Sequence, residues 1–302
     1  MPSRNPHPVS NHLIRHFGLM GMAIALTYAL TGTVIRAADS ALSAASVPSL
    51  AAPSYADLAD LGTMADVIVR VEIRKTALVE PQRSGPLPMG FARLYIEARV
   101  QSVLMGQLNP AIPLRYLVNV RLDAKGKLPP LTKKSVLLIA RAGAISADNA
   151  GRDLQLVAPD AQFIWDAGLE SRLRGVIAEL QSPDAPAPVK SVREAIYVPG
   201  TLAGEGETQL FLSTPSGAPA SITVVHQPKK PTSWSVSFSE VMDVSGTPPQ
   251  RDTLAWYRLA CFLPPALPAT SNLSDGAVNR AQAARDYRLV IDSLGPCGRT
   301  RG

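Results

Sequence analysis

Residues 65–73 read ADVIVRVEI. Val67, Val69, Val71 and Ile73 alternate with Ile68, Arg70, Glu72 and Arg74. A period of two places the four aliphatics on one face of a strand, because successive side chains of extended backbone point to opposite sides. The same alternation returns at Leu94, Ile96, Ala98 and Val100, and again at Leu114, Tyr116, Val118, Val120 and Leu122. The phase slips at Val103–Leu104, which predicts a bulge. Val136 to Ala140 is continuously apolar, the pattern of a strand buried on both faces, and Leu154–Val157 adds a shorter fifth strand. Gly106, Asn109–Pro110 and Lys125–Gly126–Lys127 supply the turns. Five such strands suffice for a small closed barrel, which removes exposed edges. A helix follows, with Leu169, Leu173, Val176, Ile177 and Leu180 on one face and Asp166 as its N-cap. Its expected place is one end of the barrel.

The order ADVIVRVEI, YIEARVQSVLMG, PLRYLVNVRL and KKSVLLIARA resembles a recurrent exported bacterial domain, an OB-like barrel similar to netrin-type modules. The matching pieces are Ala65–Asp66, Val100 to Gly106 and Val136 to Leu138, across about 75 residues of barrel-sized chain. The chain as a whole resembles uncharacterised secreted proteins of alphaproteobacteria. That resemblance implies export and brings no catalytic residue with it.

Downstream, Ser182 to Pro188 is rich in Pro and Ala and marks a linker over 183–190. Strands are expected at Ala195–Val198, Glu207–Ser213, Ser221–His226 and Trp234–Glu240, where Trp234, Val236 and Phe238 share a face opposite Ser235, Ser237 and Ser239. Two helices come next. The first starts at Asp252 or Thr253, carries Leu254, Tyr257 and Cys261 on one side, and stops before Pro264–Pro265. The second follows Ser274 with a stripe of Ala283, Tyr287, Val290, Ile291 and Leu294, and ends at Gly295–Pro296. Strands followed by helices predict an α+β fold: an OB-like barrel over 55–182, then over 191–302 an antiparallel sheet covered by two helices.

Upstream, residues 1–18 carry Arg4 and Arg15 and no acid, and Leu19 to Ile35 is a run of 17 residues without a charge. This is the pattern of a signal peptide, with small-residue cleavage sites at Ala37 and Ser43–Ala45; an uncleaved anchor over 19–35 is the alternative. Residues 1–45 are therefore read as leader and spacer, and the localisation as periplasmic or secreted. The two cysteines, Cys261 and Cys297, are expected to pair in an oxidising compartment. The bond closes a loop of roughly 35 residues and contributes about 3–4 kcal/mol.

Composition narrows the function. Aromatics at 5% argue against an aromatic platform for sugars or bases, and 27 prolines favour short elements. Without the leader the chain holds 27 basic and 23 acidic residues, a mild surplus with no basic run. The outward strand residues Arg70, Arg74, Tyr95, Arg99, Arg115 and Arg121 are interrupted by Glu72 and Glu97, so a solvated face is expected rather than a nucleic-acid surface. His226 is the one histidine beyond the leader. It lies in phase with Ile222 and Val224 and reads as a rim residue. No G-x-S-x-G, S-x-x-K, H-E-x-x-H or EF-hand pattern is present, and one histidine with two cysteines makes no ordinary zinc site. The string GTLAGEGE, Gly200 to Glu207, places Glu205 and Glu207 among glycines. It reads as a turn, with acid/base work or weak calcium binding as the sharper alternative. No cofactor is expected. The leading expectation is a non-enzymatic exported protein that binds an envelope protein or surface component. The alternatives are a hydrolase using His226 and a serine, or a membrane-anchored accessory subunit.

Overall fold

The computed structural model describes residues 52–145, 151–239 and 246–301. The leader, its cleavage sites and the predicted anchor over 19–35 lie outside these residues, as does Glu240 at the end of a predicted strand. In chain order the elements are helix α1 (Tyr55–Met64), β1 (Val67–Leu78), α2 (Pro81–Ser84), β2 (Phe91–Met105), β3 (Leu114–Arg121), β4 (Ser135–Ile145), β5 (Arg152–Leu156), β6 (Gln162–Ile164), α3 (Ala167–Leu180), β7 (Ser191–Pro199), β8 (Gly206–Ser213), β9 (Ser221–His226), β10 (Ser233–Ser237), α4 (Leu254–Ala260) and α5 (Gly276–Leu294).

The fold is α+β: a closed five-stranded barrel and a separate antiparallel sheet of four strands. The barrel order is β1-β2-β3-β5-β4 and back to β1, with β6 added beside β4. β3 and β5 run parallel and the other pairs antiparallel. This is the partly parallel closure of an OB-like barrel. β1 must pair with β2 on one side and β4 on the other, so the long β1–β2 ribbon has to bend. It does so at three register shifts, one of which leaves Leu104 unpaired between the Met105 and Val103 pairings, where the phase slip predicts it. Each extra residue increases local twist and coils the ribbon.

The registers divide the apolar residues into two sets. Val67, Val69 and Val71 stand opposite Ala140, Leu138 and Val136 and point into the barrel, with Leu94, Ile96, Tyr116, Val118 and Leu154. Ile68, Leu137 and Ile139 belong to the outer face, yet all three are fully buried, because α1 packs over β4. The continuous apolar run at Val136–Ala140 is thus a strand with the barrel on one side and a helix on the other.

α1 has a capping box: Asp57 N–H donates to Ser54 Oγ at 3.1 Å and Ser54 N–H to Asp57 Oδ2 at 2.8 Å. α3 starts at Asp166, whose Oδ1 accepts the Leu169 N–H at 2.9 Å, and packs along α1. β7 to β10 form a meander in the order β10-β9-β8-β7. α5 lies on this sheet, while α4 sits against α1, α3 and α5. Glu179 at the end of α3 accepts the Leu254 N–H at 2.6 Å and so caps α4. Leu50–Gly302 form one compact unit, and the stretch before β7 is drawn into it by the buried Val189. Among the described residues no helix is long and apolar enough to cross a membrane.

Candidate functional site

Two places gather the chemistry. The first is the end of β9. His226 Nε2 lies 2.9 Å from Asp286 Oδ1, and Thr232 Oγ1 lies 3.2 Å from His226 Nδ1. Asp286, on α5, is 2% exposed. Its carboxylate also accepts Gln282 Nε2–H at 2.7 Å and the hydroxyl of the buried Thr208. The carboxylate can only accept, so Nε2 carries a proton toward it; the Thr232 hydroxyl, which can donate or accept, meets Nδ1. Both ring nitrogens are therefore engaged. Among the described residues, the hydroxyls bonded to the His226–Asp286 pair belong to Thr232 and Thr208. The arrangement fastens α5 to three strand ends, β8, β9 and the start of β10, around one buried carboxylate. Asp286 was legible only as a polar residue interrupting the apolar stripe of α5 between Ala283 and Val290.

The glycine string beside this cluster is the β7–β8 hairpin turn. Gly200 N–H donates to Glu205 O at 2.9 Å, and Leu202 N–H to Glu205 Oε2 at 3.2 Å. Glu205 thus folds back to cap its own turn. A side chain at Gly200 would collide with Glu205, and one at Gly206 with the Tyr197 hydroxyl. Glu207 is held by Gln209. The two carboxylates are engaged separately, Glu205 by the turn and Glu207 along β8.

The second place is the outer face of β2, β3 and β5. β5 pairs with β3 only from Leu114–Arg152 to Tyr116–Leu154; beyond that it follows β4, and the divergence opens a groove of about 710 Å³. Arg93 and Tyr95 of β2, and Arg115, Leu117 and Asn119 of β3, point into it, facing Gln155 and Val157. Tyr95 and Leu117 are direct cross-strand partners, and Leu117 is 48% exposed. Arg93 donates through Nε to Asn119 Oδ1 at 2.9 Å and through Nη1 to Ser84 O. Arg115 donates through Nε to Asp153 Oδ1 at 2.9 Å. Of the outward residues singled out in the sequence, Tyr95 and Arg115 meet here. Arg70 is elsewhere, paired with Glu170 at 3.2 Å and stacked over Trp165; Arg74 and Arg99 both contact Glu72. Arg93 and Asn119 escaped the sequence reading, because a groove exists only once the strand registers are set.

A larger groove, about 1000 Å³, runs between α1, β3 and β6 and is bordered by Thr300 and Arg301. The C-terminal segment is strapped down beside it. Cys261 and Cys297 lie at disulfide-bonding distance, Cα to Cα 4.8 Å. Arg299 forks onto Asp60 at 2.6 and 3.0 Å, and Asp57 accepts the Thr300 N–H at 3.1 Å and the Thr300 hydroxyl at 2.6 Å. Burial alone would raise the Asp57 pKa, but the hydrogen bonds from Thr300 and Ser54 outweigh it and hold the carboxyl below its ordinary value. A depressed folded-state pKa stabilises above the unfolded-state value, about 3.9, and that contribution is lost as pH falls through the folded value. Acid is therefore expected to loosen the strap below about pH 4, read as faster amide exchange at residues 298–301. In Asp57→Asn the exchange should already be fast at neutral pH and change little on acidification; an acid response equal to wild type would refute the role given to Asp57.

Among the described residues no cluster of three or more His, Cys, Asp or Glu side chains is arranged to hold a metal ion. No protein-family model and no curated protein matches the chain.

Proposed function

We propose that this is an exported protein of the cell envelope, a non-enzymatic binder that engages its partner on the outer face of β2, β3 and β5. The observation that carries this reading is the groove itself. It lies on the strand face by which OB-like barrels hold extended ligands, and its apolar floor at Leu117 and Val157 is framed by side chains already fixed in place. The leader pattern and the cysteine pair at bonding distance support export, as does the resemblance to exported OB-like domains.

The test is the intact mass of the protein taken from its own envelope fraction, native and then denatured. The expected denatured mass ends the leader at Ala37 or Ala45 and lacks two protons. The expected native mass exceeds it by a bound partner, and Leu117→Asp, exposed and harmless to the core, abolishes that excess. A full-length mass in the membrane pellet would favour the anchored-subunit reading instead.

A hydrolase has one observation in its favour: the Thr232–His226–Asp286 chain has the order nucleophile, base, orienting acid. Neither the groove on the outer strand face nor the larger one beside α1 includes His226, and both of its ring nitrogens are already engaged. Full retention in His226→Ala of any hydrolytic activity found would dispose of that reading.

A further inference from the structure

We infer that the occupant of the barrel groove is an extended polypeptide segment of a partner protein, with an acidic residue two positions away from an apolar one. This rests on the groove being the binding face and names the chemistry of what it binds.

The argument starts from charge. Arg115 is neutralised in place by Asp153, and the nearby Glu97 is taken by Lys75 at 3.0 Å. Arg93 differs. Its two hydrogen-bond acceptors, the Asn119 amide oxygen and the Ser84 carbonyl, are neutral. They fix the guanidinium in position without cancelling its charge, and they use one N–H of Nε and one of Nη1. A rigid guanidinium with N–H groups to spare and no carboxylate at the end of an apolar floor is matched to a carboxylate, which it can bind by charge-assisted hydrogen bonds.

Spacing gives the rest. Tyr95 follows Arg93 by two positions on the same face, and Leu117 lies directly across from Tyr95. Two residues of strand span about 7 Å. A segment in extended conformation repeats its own side chains at that interval on one face. A Glu at one position of the segment meets Arg93, and a Leu or Val two positions on covers Tyr95 and Leu117. A further apolar residue at the next alternate position lies level with Arg115, the cross-strand partner of Glu97, and beside the Arg115–Asp153 pair, whose polar atoms can take the segment's peptide groups. The match requires the alternation of a strand. A helix places residues two apart on different faces.

The probe is the peptide acetyl-Thr-Glu-Thr-Leu-Thr-Val-Thr-amide, titrated calorimetrically into the oxidised protein without its leader. Three comparisons accompany it: the same peptide with Gln for Glu, the neutral oligosaccharide cellohexaose, and the variant Arg93→Gln. Saturable binding of the acidic peptide is expected, weakened about tenfold or more by the Gln peptide, as loss of a charge-assisted bond implies. Arg93→Gln should bind both peptides equally and weakly, and Leu117→Asp neither. Equal affinity of wild type for the Glu and Gln peptides overturns the acidic anchor. Cellohexaose binding that Leu117→Asp abolishes, with no peptide binding, overturns the inference and leaves the groove as the binding face. Peptide binding unchanged in both Arg93→Gln and Leu117→Asp overturns the inference and the groove reading together. Absence of binding by every probe overturns the inference alone.

Discussion

Asp286→Ala is expected to lower the unfolding free energy by about 3 kcal/mol, the cost of leaving buried polar groups without their partner. Asp286 is the acceptor shared by Thr208, His226 and Gln282, and Thr208 is fully buried. Removing the carboxylate strands a hydroxyl and an imidazole N–H between α5 and the sheet, with water poorly placed to replace it. His226→Ala should cost less, because its side chain is 19% exposed and solvent can take over part of its role. The double variant is expected to lose less than the sum, since each single change breaks the same bond. Denaturant titration of the four proteins measures this. A loss below about 1 kcal/mol for Asp286→Ala, the size of an ordinary surface bond, would mean that the carboxylate does not fasten the helix to the sheet.

Loss of the cysteine link should be of similar size. Cys261 and Cys297 are 36 positions apart, and opening a loop of that length costs about 3–4 kcal/mol through the greater entropy of the unfolded chain. Cys297 begins the segment that Arg299 and Thr300 tie to α1. Reduction is therefore expected to lower the denaturation midpoint and also to speed exchange across 298–301. The double variant Cys261→Ser/Cys297→Ser should reproduce both effects and be indifferent to reductant. Equal midpoints for the oxidised and reduced wild type would show that the remaining contacts hold the tail unaided.

The sequence was most informative where one periodicity served one buried face. The alternations at Val67–Ile73, Leu94–Val100 and Leu114–Val120 are the barrel walls, and the bulge expected at Val103–Leu104 lets the first two curl. Caps were as readable: Asp166 and Thr253 sit at their helix starts because their side-chain oxygens accept N–H groups that helices otherwise leave open. α1 was missed although Ser54 and Asp57 spell a capping box, because the Ala, Ser and Pro before it made the whole approach resemble a spacer. β6 is three residues long and owes its existence to β4 beside it, so no local pattern announces it. The candidate sites were harder still. Glu205 was read as part of a turn, but that its own side chain caps the turn could not be read from the string. His226 and Asp286 lie 60 positions apart, and their meeting depends on how α5 lies across the sheet. The groove depends on β5 parting from β3, a consequence of barrel closure rather than of any motif.

Site-specific photocrosslinking in the native cell tests most directly whether the β2–β3–β5 face is where this protein works. A benzophenone amino acid is placed at Leu117, in the groove, and separately at Val198 on the other sheet; both positions are exposed and tolerate the probe, at 48% and 58%. The expected result is one discrete adduct from Leu117 that Arg93→Gln diminishes, and none from Val198. An adduct from Val198 with none from Leu117 would contradict the account and move the working surface to the four-stranded sheet.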